Sequence, residues 1–586
     1  MSPSNHEGVD FDVVICGAGL AGLALARQLG LNQSEISVAL LDPNVPPLPQ
    51  AAWKVGESTV EFGAHYLADH LKLEEYLHRA HLVKLGLRFF FPSRGTMSDR
   101  PEIGLSEVAP VVAYQIDRGT LENDLRDMVR NDGVTVLDGY QVRKLDIAKG
   151  DSPHTLWFTD LSAGIDGKLR CRWLIDASGR RQLIQRQMSL RRSHDGHSCS
   201  AAWFRLAGRW DVDDLVPAAD SAWHHRVPDS ARYFSTNHLC GQGYWVWLIP
   251  LRGGITSIGI VARGDNHAFQ EFNTYEKALA WLRRYEPDLA EYLGESSPLD
   301  FRAMMDYSYS SQKTISEDRW ACVGEAAFFA DPFYSPGTDL IAIGNTMTAD
   351  LIRRDFAGDH DHERVARYSA HLIGLNDQLT WSIQHGYSYL GDEMVSLARS
   401  VWDVTSGWGL LCPQLFNRTF TDESKHAALR PKGVLPLFTL AERTRALLDE
   451  WLSHRANRGG RLTFDFFDYL KVPWLAGLRR ESLREFATTE DLRLQYQANA
   501  ELMEGLLQAL FLLAVEDLYP DEMVRLNDAP GLNVQRLSLE PARWDASGIF
   551  ELRSAPREFR RLYSELRAQL RHKLPDSGYG LRAGAI

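Results

Sequence analysis

Cysteine is scarce. The 586 residues hold six: Cys16, Cys171, Cys199, Cys240, Cys322 and Cys412. None forms a C-x-x-C pair and the spacing is wide, so a disulfide framework and a thiolate metal site are both excluded. The residues read as apolar fillers in a reduced compartment. Positive charge is also short. Lys and Arg total 64 against 77 Asp and Glu, a net charge of −13. A nucleic-acid binder needs the opposite balance to displace counterions, and no basic amphipathic stretch offers a membrane-surface anchor. Long hydrophobic runs are missing. The most apolar late stretch, residues 506–515, is about half the length of a bilayer span and is interrupted by Gln508. The first twelve residues are polar and acidic without an apolar core, so no signal peptide is expected and the protein reads as cytoplasmic. There is no internal repeat and no low-complexity tract. What remains is a large globular chain with room for two or three lobes.

Its clearest feature comes first. The β-branched run Phe11–Cys16 reads as a buried strand and leads directly into Gly17, Ala18, Gly19 and Gly22, then into a leucine- and alanine-rich helix. In a strand–turn–helix of this kind, Gly17 makes the tight turn. Gly19 lets backbone approach a pyrophosphate, and Gly22 lets the helix lie close to the strand. The helix N-terminus presents free N–H groups to phosphates. A second strand, residues 36–41, ends at Asp42, where a carboxylate accepts hydrogen bonds from an adenosine ribose. Together these define a dinucleotide site.

Three later segments point to FAD rather than a nicotinamide. Residues 115–121, with Arg118, resemble the part of many FAD enzymes in which an arginine lies near the flavin. A strand ending in Asp176-Ala177-Ser178-Gly179 resembles the second nucleotide contact of the glutathione-reductase-type FAD fold. Gly324-Glu325, followed by Asp331, resembles the motif that holds the ribityl chain, with Glu325 where aspartate is usual. No second G-x-G-x-x-G is present, so durable NADPH binding is not expected.

Three further patterns are more specific. Gly243 to Pro250 contains W-x-W-x-I-P, read as an alternating strand with Trp245 and Trp247 on one face and Pro250 at its end. Two indoles on one face wall a tunnel and keep water out. Val55-Gly56-Glu57-Ser58-Thr59 follows the first βαβ unit, with Glu61 where proline is common. Lys84 precedes a short aromatic strand. In this combination the chain resembles the flavin-dependent halogenases, those acting on tryptophan among them, over roughly residues 8 to 350. The resemblance implies that residues 55–59 form a strap over the flavin. It implies that Lys84 is the catalytic lysine, with Lys54 the competing amine. It further implies FAD used as FADH2 from a separate NAD(P)H-dependent flavin reductase, molecular oxygen, and chloride or bromide. Hypohalous acid then reaches the lysine. The expected substrate is a small aromatic molecule from natural-product biosynthesis, free or bound to a carrier protein.

One segment departs from the family. Where tryptophan halogenases carry E-P-L-E-S-T-G, this chain has Asp331-Pro332-Phe333-Tyr334-Ser335-Pro336-Gly337. Tyr334 replaces the second glutamate, which argues for a phenol, pyrrole or aryl amine rather than free tryptophan, with Tyr334 placed at the substrate tunnel. Pro336 has no N–H where a halide donor is expected, leaving Gly337 and Thr338 for the halide. Without a halide site, the same frame is a flavin monooxygenase.

The expected architecture is α/β: a Rossmann-type FAD-binding module at 8–350, with β-rich substrate insertions at about 50–110 and 185–310. A mostly helical C-terminal lobe follows at 351–586, with helices read at 346–356, 363–377, 435–455 and 498–517. Trp381, Trp402, Trp408 and Trp474 read as core. The run Asp359-His360-Asp361-His362-Glu363 lacks a second ligand pair and reads as a solvated loop, not a metal site.

Overall fold

In the computed structural model, which describes residues 8–32, 35–49, 54–93, 95–108, 111–194, 196–551 and 558–573, the first apolar run is strand β1 (Phe11–Cys16). The glycine turn feeds α1 (Leu20–Asn32), and the chain returns as β2 (Val38–Asp42). Three short strands follow: β3 (Leu82–Lys84), β4 (Leu87–Phe90) and β5 (Ala113–Gln115). Helix α2 (Arg118–Asn131) starts where Asp117 accepts a hydrogen bond from the Thr120 N–H, a side-chain N-cap. Next come β6 (Thr135–Asp138) and the long β7 (Ile165–Asp176). A β-rich stretch supplies β8 (Cys199–Ala207), β9 (Thr236–Gly241), β10 (Tyr244–Leu251), β11 (Ile255–Arg263) and β12 (Asp300–Met304). Strand β13 (Trp320–Cys322) and helix α3 (Gly337–Phe356) complete the part that builds the site.

Two sheets divide the labour. Five strands of the first run parallel in the order β13-β7-β1-β2-β6, and antiparallel strands extend this sheet from β13 and β7. Cys16 lies beside Asp176 and Leu41, and Asp176 beside Cys322. The carboxyl ends of four strands therefore meet at one edge, where an open α/β sheet holds its ligand. The second sheet orders β12-β8-β11-β10-β9-β4. Its strand β10 is buried along its whole length, which explains a sequence with little polar alternation.

The chain forms two compact units. One comprises Met1–Phe89, Leu105–Ser388 and Gln414–His426; the other comprises Phe90–Gly104, Tyr389–Pro413 and Ala427–Ile586. The helical region read from residue 351 is divided between them, since helix His362–Gly386 lies in the first. The second unit is built on helices Glu393–Ser406, Leu437–Arg458 and Thr489–Leu518. Arg455 ties it together through Asp392, Glu393 and Asp517. Helix Thr489–Leu518 has the length and apolarity to cross a membrane, but 83% of its apolar window is buried within the protein.

Several expectations need correction. Helix α3 begins nine residues before the expected 346, because burial of Leu340, Ile343 and Met347 outweighs the helix cost of Gly337 and Gly344. The helices expected at 363–377 and 498–517 likewise extend, to His362–Gly386 and Thr489–Leu518, while that expected at 435–455 is shifted to Leu437–Arg458. Pro250 does not end its strand, which continues to Leu251. The ladder to β9 stops at Leu248, so on that side the proline nitrogen interrupts no bond. Trp402, Trp408 and Trp474 are buried, whereas Trp381 is only half-buried. All six cysteines are free and buried. In the His/Asp run, Asp361 caps helix His362–Gly386 and His360 contacts the Glu317 carbonyl.

Candidate active site

The nucleotide end of the site is shaped by glycine. A Cβ on Gly22 would sit 2.0 Å from the Gly17 carbonyl oxygen, and one on Gly17 would sit 2.4 Å from that of Ala177. Helix α1 thus packs against the turn more closely than any side chain permits. A Cβ on Gly19 would meet nothing within 4 Å. It faces a cleft lined by Gly17, Asp42, Lys54, Arg118, Gly179 and Glu325. Asp42 accepts hydrogen bonds from the Ala18 N–H at 2.7 Å and from Asn44. Asp176 receives the N–H groups of Ser178 and Ile184 at 3.0 and 2.8 Å, so its carboxylate builds the turn that presents Ser178 and Gly179 to the cleft. A cleft with a bare Gly19 wall, a helix N-terminus and a strand-end carboxylate fits the adenine-dinucleotide half of FAD.

Adjoining it is a cavity of about 1100 Å³, counting space open to solvent. Arg118 and Glu325 line both spaces. Arg118 donates to the Val55 carbonyl at 2.7 Å and to Glu122 at 2.6 Å, and Lys54 also pairs with Glu122. Gly56, at φ +85°, passes so close that a Cβ would meet Arg118 at 2.7 Å. Glu57 is held by Arg205 at 2.7 Å, and Arg205 also grips Asp300 at 2.8 Å. The strap is thereby fastened at both ends of its glycine, with Glu57 and Ser58 on the cavity wall.

Behind the strap lies Lys84, 1% exposed. Its Nζ donates to Ser58 Oγ at 2.8 Å and to the Thr59 carbonyl at 2.6 Å. Burial pulls its ammonium down to about 7, against the opposing charges of Glu61 and Asp339. Lys84 is not itself among the lining side chains. It reaches the cavity through Ser58, whose Oγ also contacts Thr236 Oγ1 at 2.9 Å and receives Ser335 Oγ at 3.1 Å. Lys54, the alternative amine, lies on the nucleotide side.

The far wall is the face of β9 and β10. Trp245, Trp247 and Ile249 line the cavity, with indole centroids 5.7 Å apart. Trp247 lies over Gly259 of β11, where a Cβ would come within 2.2 Å of the ring. Strand parity corrects one expected wall residue: Pro250 lies on the opposite face and does not line the cavity, whereas Ile249 does. Tyr334 does not line it either, and is turned against Phe333 and Phe89. Asp331, expected at the cofactor, is on the wall, but its carboxylate is taken up within the protein. Tyr307 and Tyr387 donate to Oδ2 at 2.7 and 2.8 Å, His197 lies 3.2 Å away, and the Phe333 N–H reaches Oδ1. Tyr387 in turn receives Trp245 Nε1 at 2.9 Å, fixing that indole. Pro336 is the N-cap of α3, and Gly337 and Thr338 open its first turn on the cavity without a side-chain cap. Sequence reading missed His238, Thr236, Met304 and Tyr307, which also line this space. The period-two pattern of β9 beside β10 was the signal available for the first two.

The FAD binding domain family model matches residues 10–340, more than half the chain, and the chain belongs to that family. Its relatives are more particular. Flavin-dependent halogenase chlA of Dictyostelium discoideum is 26% identical over 461 residues, covering 72% of this chain and 75% of the relative. The 1H-pyrrole-2-carbonyl-(peptidyl-carrier protein) chlorinase of Pseudomonas fluorescens is 25% identical over 384 residues, covering 61% and 79%. Tetracycline 7-halogenase of Kitasatospora aureofaciens is 25% identical over 408 residues, covering 64% and 70%. Among solved structures, halogenase PltM superposes with a TM-score of 0.62 at 15% identity over 83% of this chain and 96% of its own. The chondrochloren halogenase CndH gives 0.53 at 22% over 64% and 83%. These two show a shared fold.

Proposed function

We propose that this protein is a FADH2-dependent halogenase that places chloride or bromide on an electron-rich ring of the phenol, pyrrole or aryl amine type, and not on free tryptophan. The observation that carries the reading is Lys84: a fully covered amine, joined by one hydrogen bond to the cavity wall at Ser58. Burying an ammonium is costly, and a desolvated amine beside a cavity is a candidate for chemistry. Reduced FAD, regenerated by a separate flavin reductase, supplies the electrons with which dioxygen converts halide to hypohalous acid. The chain's own residues do the rest. Trp245, Trp247 and Ile249 exclude water. The Lys84 ammonium, acting at the Ser58 edge, hydrogen-bonds hypohalous acid and polarises its halogen toward the ring. Gly337 and Thr338 hold the halide at the start of α3, where free N–H groups and the helix dipole favour an anion. The substrate class follows from Tyr334, which brings no carboxylate to the cavity, so the ring must be activated by its own heteroatom.

Pro336 favours a second reading. It removes an N–H from the halide position, and a frame without halide transfers oxygen instead. The two readings separate on halide dependence. With FAD, a flavin reductase, NADPH and a panel of phenols and pyrroles, the wild type is expected to give halogenated product that saturates with bromide. Pro336→Thr adds a backbone donor at the mouth of α3. A charge-assisted hydrogen bond of roughly 1.5–3 kcal/mol is expected to lower the halide KM about tenfold. An unchanged halide KM in Pro336→Thr places the anion elsewhere, and hydroxylated product with no halide dependence makes the protein a monooxygenase.

A further inference from the structure

We propose that His238 binds the activating substituent of the substrate: its Nε2 accepts a hydrogen bond from an O–H or N–H on the ring, so the enzyme requires an arene that carries such a donor. The inference deepens the halogenase reading and rests on it.

His238 stands on β9 opposite Trp247 of β10 and lines the cavity, yet is 1% exposed. The ring is clamped. It stacks on Phe89 at 4.7 Å and tilts against Trp245 at 5.2 Å. Its Nδ1 lies 3.1 Å from the Arg88 carbonyl oxygen. A carbonyl only accepts, so Nδ1 carries the proton and Nε2 is the lone-pair nitrogen. Burial, with Lys84 adding to it, holds the imidazole far below its usual range, at about 3, so the ring stays neutral at any working pH. Of the lining carboxylates, Glu57 is engaged by Arg205 and Asp331 by Tyr307 and Tyr387, while Glu325 lies where the cavity meets the nucleotide cleft, 3.9 Å from Arg180. His238 therefore offers a neutral, oriented acceptor beside the two indoles.

An acceptor here does chemical work. As the ring attacks the halogen of hypohalous acid, the halogen–oxygen bond breaks and a carbon–halogen bond forms. The departing oxygen takes a proton from the Ser58 hydroxyl, which the Lys84 ammonium replaces, and leaves as water. Positive charge develops on the ring, and its O–H or N–H, made more acidic, tightens its hydrogen bond to the neutral Nε2 of His238. The ring carbon then loses its own proton through the Ser58 hydroxyl to the Lys84 amine, which restores both the aromatic ring and the ammonium. The sum is arene plus hypohalous acid giving haloarene plus water. The hydrogen bond strengthens as charge develops, which is the condition for accelerating the step rather than only binding.

Two variants separate the two nitrogens. His238→Asn puts an amide N–H near the Nδ1 position and nothing at Nε2. His238→Gln brings a carbonyl oxygen toward the Nε2 position. The probes are resorcinol and its dimethyl ether, with rates taken relative to free hypohalous acid in buffer to remove intrinsic reactivity. FAD affinity and melting temperature are recorded for each protein. In His238→Asn the kcat/KM for resorcinol is expected to fall about tenfold or more, while that for the ether changes little. His238→Gln is expected to recover most of the loss. Binding of resorcinol to the oxidised, FAD-loaded wild type, followed by flavin absorbance, is expected to be tighter than that of the ether. A His238→Asn protein that binds FAD and keeps the wild-type preference overturns the assignment, as does equal binding of the two probes. Hypohalous acid escaping the enzyme is trapped with a soluble β-diketone. A wild type that gives neither a halogenated probe nor any trapped halogen overturns the halogenase reading itself, and the inference with it.

Discussion

Lys84→Ala is expected to lose halogenation by a factor of at least about 100, the lower end of what a positioned acid or nucleophile contributes, while FAD affinity stays within about threefold. Lys84 contacts Ser58 and Thr59, and the dinucleotide cleft lies on the other side of Arg118 and Lys54. Lys84→Arg is expected to fail as well. A guanidinium is larger, keeps its charge and cannot take up the ring proton. Product yield with reductase and bromide, beside a flavin titration, checks both. Retained activity in Lys84→Ala with activity lost in Lys54→Ala moves the role to the other amine.

The same lysine makes a stability prediction with a definite sign. Its folded value of about 7 lies below the roughly 10.4 of an unfolded lysine. Between those values the unfolded chain holds the extra proton, so stability rises with pH. Below pH 7 the lysine is charged in both states and the difference levels off. Glu61 and Asp339 face the amine, and comparison with Lys84→Met sets aside the contribution they share. The unfolding free energy of wild type relative to Lys84→Met is expected to climb by roughly 1.4 kcal/mol per pH unit over that window. A flat difference contradicts a desolvated amine.

Gly19→Ala is expected to leave the apoprotein as stable as wild type and to weaken FAD binding by about tenfold to a hundredfold. The added methyl meets no protein atom within 4 Å, so folding is expected to be unaffected, and a pyrophosphate approaching the turn is what it would obstruct. Overpacking costs of roughly 1–3 kcal/mol convert to that range. Gly22→Ala is the contrast. Its methyl would lie 2.0 Å from the Gly17 carbonyl, so both melting temperature and FAD affinity are expected to fall. A Gly19→Ala protein with normal affinity by fluorescence titration shows that the pyrophosphate does not pass there.

What the sequence made legible was local. Gly17, Gly19 and Gly22 between a strand and a helix, with Asp42 at the next strand end, are close enough in the chain to specify one another. The indole pair of β10 followed from alternation alone. What stayed hidden depends on tertiary contact. That Lys84 meets Ser58 requires β3 to pass behind the strap, and no spacing encodes that. That Asp331 accepts from Tyr307 and Tyr387 depends on a tyrosine 56 residues away along the chain, just past the end of helix His362–Gly386. His238 was legible in principle, two residues into a strand that pairs with the tryptophan strand, but only once that pairing is known. Pro250 was misplaced by treating proline as a stop. The strand tolerates it where the β9 ladder has already ended.

The central claim is that oxidising equivalents made at the flavin leave this cavity as halogen on carbon. The direct measurement is a mass spectrum of resorcinol turned over by the wild type with FAD, flavin reductase, NADPH, oxygen and bromide. The account predicts the paired isotope peaks of a bromoarene, present with bromide, absent without it, and reduced in Lys84→Ala to what escaped hypohalous acid gives in buffer. A product heavier by one oxygen, formed equally with and without bromide, would contradict it.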